Sequence, residues 1–126
     1  MFANSKSTVK ESAIKSKSFA FAIRIINLRK YLHKQHEYTI ADQVLRSGTS
    51  IGANVCEGEY AQSRADFVNK MSIALKEAGE TEYWLKLLFF GKYINQKMYD
   101  SMIKDCGELC RILQSIVKST KDNNKK

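Results

Sequence analysis

Four side chains have the chemistry of a zinc site. Cys106 and Cys110 stand four residues apart, and His33 and His36 stand three apart. On helices each pair would share a face, and thiolates with imidazoles are the ligands of tetrahedral zinc. The two pairs belong to different places, however. The histidines fall where one helical pattern gives way to the next, the cysteines fall in the middle of another, and Cys106 continues an apolar seam as a small hydrophobe. No metal site and no cofactor are expected. A phosphate loop would need Gly-Lys-Ser/Thr after a strand. Gly48, Gly52 and Gly58 have neither, so they read as places where helices approach closely. Catalysis needs a nucleophile beside a base, or two carboxylates across a cleft. The acids here are scattered, the inward Glu-x-x-His pairs of di-iron bundles are absent, and the chain is not read as an enzyme.

Charge carries more information. Lys6, Lys10, Lys17 and Arg24 follow at spacings of four, seven and seven, one line along the flank of a first helix, and Lys30 and Lys34 sit on another flank. Such a line can track a phosphate backbone without reading sequence; it can equally be a solvated face whose Lys and Arg stems cover apolar edges. Tyr31 and Tyr60 are candidates to stack bases or to fill an interface. Arg46 and Glu57 share one side of a second helix, away from its main apolar stripe, and Asn54 lies on that stripe. Glu82 projects near Met71, Leu75 and Phe89. A buried carboxylate without a partner is costly. Arg46, Asn54, Glu57 and Glu82 are therefore candidates for a polar network within or between subunits, the other reading being that Glu82 reaches water at the edge of its stripe.

The elements that would position these groups are all helices. Ile14, Phe21, Ile25, Leu28 and Leu32 fall on one face of a helix over about 8–35, and Phe19, Ile23 and Ile26 fall on a different face. A second helix, about 40–59, carries Ile40, Val44, Ser47, Ile51, Asn54, Val55 and Gly58 through a run that propensity alone would make a loop. Thr39 is its expected N-cap, with Asp42 completing a capping box. Ser63 and Asp66 open a third helix over about 64–91, with Phe67, Met71, Ala74, Ala78, Leu85 and Phe89 as core and Ile73, Trp84, Leu87 and Leu88 as a second apolar side. Asn95 caps a fourth, about 96–118, where Met102, Cys106, Leu109, Leu113 and Ile116 repeat as a heptad seam. Residues 119–126 read as a frayed polar tail. Short connections make neighbours antiparallel. The expected fold is all-α: a single-domain, antiparallel, up-down-up-down four-helix bundle over residues 1–126.

Composition agrees. The chain has 126 residues, 44% hydrophobic, and no proline to break a helix. Its net charge is +8, with eight Lys/Arg against one acid in residues 1–36 and seven against four in residues 95–126. The excess suits a polyanion, or simply solubility. No run is long enough to span a membrane. Three cysteines without framework spacing or a signal peptide point to reduced thiols and a cytoplasmic location. The second apolar sides on the first and third helices call for a further partner, and a homo-oligomer is expected.

The segment Val44 to Gly58, with its Ser50-Ile51, Asn54 and Glu57-Gly58, resembles the signature of an Arg pair followed by S-I-x-x-N-I-x-E-G in the four-helix-bundle proteins encoded in intervening sequences of bacterial 23S rRNA genes. Phe67 and the run Met71 to Leu85 are similar to the following family segment, and the likeness covers about residues 15–118. Leu45 stands where the family's first Arg would be, and Leu75-Lys76 replaces its Gly-Ser. The resemblance implies a ribosomal-protein-like bundle that assembles as a homopentamer. It also implies a link to the accessory protein of diversity-generating retroelements, which binds nucleic acid and a reverse transcriptase. The expected partners are thus further copies of the chain and either nucleic acid, RNA or DNA, or another protein.

Overall fold

The computed structural model describes the backbone of residues 8–124 and the side chains of residues 8–120. Four helices account for nearly all of it: α1 (Val9–Lys34), α2 (Thr39–Gly58), α3 (Arg64–Phe90) and α4 (Gln96–Asn124). Each packs against its sequence neighbour, and α4 closes the square against α1. This is the antiparallel up-down-up-down bundle, with α1 and α3 on one diagonal and α2 and α4 on the other.

The helix ends are made by short-range chemistry. Thr8 Oγ1 accepts from the Glu11 amide at 3.0 Å, Ser63 Oγ from the Asp66 amide at 3.1 Å, and Asn95 Oδ1 from the Met98 amide at 2.8 Å. Each satisfies an amide that has no partner within the helix. The start of α2 corrects the sequence reading. Thr39 is already helical, and Glu37 caps instead, its Oε1 accepting from Ile40 N and from Ala41 N at 3.0 Å. His36 takes the left-handed conformation that turns α1 into α2, with φ 63°, and Lys92 does the same between α3 and α4, with φ 67°. α4 continues to Asn124, past the expected end at 118.

The core stripes of α1 and α4 are as expected: Ile14, Phe21, Ile25, Leu28 and Leu32 are buried against Met102, Cys106, Leu109, Leu113 and Ile116. On α3 the stripe runs through Thr81 and Leu85 to Leu88, so Leu88 is core and Phe89 is only half-buried, stacked on Tyr99. The small residues of α2 let α1 come close. A Cβ on Gly48 would lie 2.7 Å from Ile25 Cγ1, and one on Gly52 would lie 3.4 Å from the Ser18 carbonyl oxygen. Beside them sits a fully buried hydroxyl pair, with Thr81 Oγ1 2.8 Å from Ser47 Oγ and 2.8 Å from the Glu77 carbonyl. A hydroxyl has one proton, so Thr81 donates to the carbonyl while Ser47 donates to Thr81.

Candidate functional site

The lysine line of α1 is built into the fold. Lys17 Nζ lies 3.3 Å from Glu108 Oε2, and Arg24 pairs with Asp105 while its Nη2 donates to Ser101 Oγ at 2.8 Å. Both partners are on α4. The flank singled out in the sequence is thus the seam between α1 and α4, and two of its cations already face carboxylates. Ion pairs this exposed are each worth about 0–1 kcal/mol. Lys10 is exposed and has no ion pair among the described residues, and Lys6 lies outside them.

Lys30 and Lys34 stand differently. They continue the line Phe19, Ile23, Ile26 at spacings of four, three, four and four, the face of α1 that points away from the core. Both are exposed, and neither has an ion pair among the described residues. Below them the second apolar stripe of α1 is real: Phe19 is 69% exposed, Ile23 46% and Ile26 37%. Phe19 also borders a groove of about 870 Å³ between α1 and α2. Ile14, Val55, Phe67 and Met71 floor this groove, and the Lys15–Glu59 ion pair, 3.1 Å, stands on its rim. On α3 the expected second side is mostly consumed within the chain. Leu88 is core, Ile73 and Trp84 are half-buried, and only Leu87, beside Tyr83, stays on the outer surface.

The expected polar network does not form within the chain. Arg46 reaches Glu77 Oε1 at 3.2 Å and also pairs with Glu80. Glu80 Oε2 in turn accepts from Trp84 Nε1 at 2.9 Å, and that bond, followed by Arg46, holds its carboxyl below the usual range. Glu57 accepts instead from Lys70 Nζ at 2.9 Å. Glu82 is half-buried near Cys110, with Sγ 3.9 Å from its Oε1, and Asn54 donates to the Ser50 carbonyl of its own helix. Sequence spacing placed Arg46 and Glu57 on one helix side but could not say which α3 residues lay opposite. Arg46 thus faces two carboxylates of α3.

His33 and His36 lie at the α1–α2 turn, and Cys106 lies within α4, its Sγ donating to the Ala78 carbonyl at 3.3 Å. Among the described residues no three His, Cys, Asp or Glu side chains come together as a metal site. Among the described residues, too, no helix is long and apolar enough to cross a membrane.

One feature escaped the sequence reading. At the end of the bundle where α1 finishes and α3 turns into α4, Tyr31, Gln35, Phe90, Lys92, Tyr93 and Asn95 line a pocket of about 560 Å³. The aromatic run Phe89-Phe90 was the available signal, but its meaning depends on the Lys92 turn folding back toward α1.

The sequence profile of the 23S rRNA-intervening sequence protein family matches residues 10–115. The chain belongs to that family. A crystal structure of a protein of unknown function from the S23 ribosomal protein family of Bacteroides thetaiotaomicron is similar over 87% of this chain and 99% of that one. The two share 54% identity, with a TM-score of 0.86. No curated protein matches the chain. Membership accounts for the residues that carried the resemblance. Within the family signature, Ser47 and Gly48 are buried packing positions between α2 and its neighbours, and Ile51 is core.

Proposed function

We propose that this protein is non-enzymatic, assembles as a homo-oligomer, with a pentamer favoured by the family resemblance, and binds RNA or DNA through basic surfaces with little sequence preference. The observation that carries the reading is on the outer face of α1. An apolar stripe, Phe19, Ile23 and Ile26, runs directly into two cations, Lys30 and Lys34, that have no ion pair among the described residues. The stripe gives another copy something to bury. Tyr83 and Leu87 are exposed on α3, the diagonal helix, and so on the opposite side of the bundle. A contact between unlike patches on opposite sides repeats head to tail and can close into a ring. Assembly would then repeat the lysines and turn weak phosphate contacts into avidity.

The second reading is a scaffold for another protein, such as a reverse transcriptase, with no direct role for nucleic acid. It is favoured by the neutralisation of Lys17 and Arg24 within the bundle. Capture of partners from native cytoplasm, with and without nuclease, tests the two. The proposed reading expects nucleic acid in the untreated sample and loss of co-purifying proteins after nuclease. Protein partners that survive nuclease, with no nucleic acid recovered, would support the scaffold instead.

A further inference from the structure

The pocket at the end of the bundle combines aromatic, amide and cationic groups. Its walls are aromatic: Tyr31 is 40% exposed and Phe90 75%, with Tyr93 half-buried beside them. Its polar groups are fixed in advance. Gln35 Nε2 donates to the Tyr93 carbonyl at 3.1 Å, which leaves the amide oxygen of Gln35 as an acceptor. Asn95 Oδ1 is used by the Met98 amide at 2.8 Å, which leaves the Asn95 NH₂ as a donor. Among the described residues no acidic side chain lines the pocket, while Lys92 does. Lys30 and Lys34 lie on the last turns of α1, next to Tyr31 and Gln35 in the chain, and none of the three lysines has an ion pair among the described residues.

The loop is held in place. Lys92 sits at φ 67°, a conformation unfavourable for a residue with a Cβ, and the Lys92 and Tyr93 amides bond back to Phe89 and Leu88 at 3.0 and 2.9 Å. Phe89, next to Phe90 in the chain, is stacked on Tyr99 with centroids 4.6 Å apart. Exposed aromatic faces, a fixed acceptor and donor, and one lining cation, Lys92, match the chemistry of an unstacked base with a flanking phosphate. A duplex keeps its bases stacked and cannot offer one.

We infer that this end pocket takes a base of a single-stranded nucleic acid, Tyr31 and Phe90 stacking on it and Lys30, Lys34 and Lys92 holding the adjoining phosphates. The inference rests on the nucleic-acid reading above and gives it a place and a strand preference.

The test uses the full chain and a fluorescently labelled oligouridine of about a dozen nucleotides, compared with an RNA duplex of the same length. The wild type should bind the single strand more tightly. Tyr31→Ala with Phe90→Ala should weaken single-strand binding about tenfold and leave duplex binding unchanged. Tyr31→Phe with Phe90→Tyr should restore it. Both side chains are exposed, and a helical circular dichroism spectrum with an unchanged melting temperature checks the fold of each variant. If the double alanine variant binds oligouridine as tightly as the wild type, the pocket is not a base site, although the polyanion reading stands. If no form binds either RNA at low salt, both readings fall together.

Discussion

Single side chains in this bundle are decided by what lies across the helix interface. Ser47 and Thr81 are fully buried, and each makes the other's polarity tolerable. Replacing Ser47 by Ala removes one hydrogen bond and leaves the Thr81 oxygen with an unused acceptor site. Chemical denaturation should show a loss of about 1 kcal/mol. Glu80 gives a pH signature. Its bonds from Trp84 and then Arg46 depress its pKa in the folded state. A carboxyl of this kind adds stability above its ordinary range and loses it as pH falls through the folded value. Melting temperatures of wild type and Glu80→Gln, compared from about pH 7 to about pH 3, should therefore converge on the acid side. The effect should be small, because the pair is partly exposed. None of these partnerships was legible in the chain. Lys17 and Arg24 stood out as a line, but Glu108 and Asp105 become their partners only once α4 is known to lie beside that flank. Glu37 was missed as a cap because its longer side chain reaches forward over two residues, a job that spacing alone assigns to Thr39.

Whole helices were far more readable. Apolar spacing located α1 to α4, and it carried α2 through a glycine-rich run that propensity would have broken. The mechanism is visible at Gly48, where Ile25 occupies the space a methyl group would need. Gly48→Ala should accordingly destabilise the protein by about 1–3 kcal/mol. At Gly79, a helical position, a methyl group would meet nothing within 4 Å. Gly79→Ala should stabilise by up to about 1 kcal/mol, so thermal melts of the two variants should move in opposite directions. The one misplaced stripe, at the end of α3, has a physical cause. The seam steps from Ala78 through Thr81 to Leu85 and Leu88, and a polar residue in the seam hides the step that sets its phase. With Thr81 passed over, Phe89 looks like core, and the aromatic end pocket beside it goes unseen.

At the scale of the whole molecule, the bundle leaves one face of α1 uncovered and holds Lys30 and Lys34 just beyond it. Ile23→Asp puts a charge in the middle of that face without touching the core. Light scattering should show the wild type as an oligomer and this variant as a smaller species with unchanged helical content, whereas a wild-type monomer at micromolar concentration would reject assembly. Reversing Lys17 and Arg24 is a poor probe of binding, because it also breaks the α1–α4 seam. Lys30 and Lys34 are the cleaner choice. The measurement that bears most directly on the central claim is RNA affinity as a function of salt, for the wild type and for Lys30→Glu with Lys34→Glu. Counterion release makes the logarithm of affinity fall linearly with the logarithm of salt concentration, with a slope set by the number of phosphates neutralised. A steep slope for the wild type, with weaker binding and a flatter slope for the double variant, is the expected result; no binding by the wild type at low salt, or equal slopes for the two proteins, would contradict it.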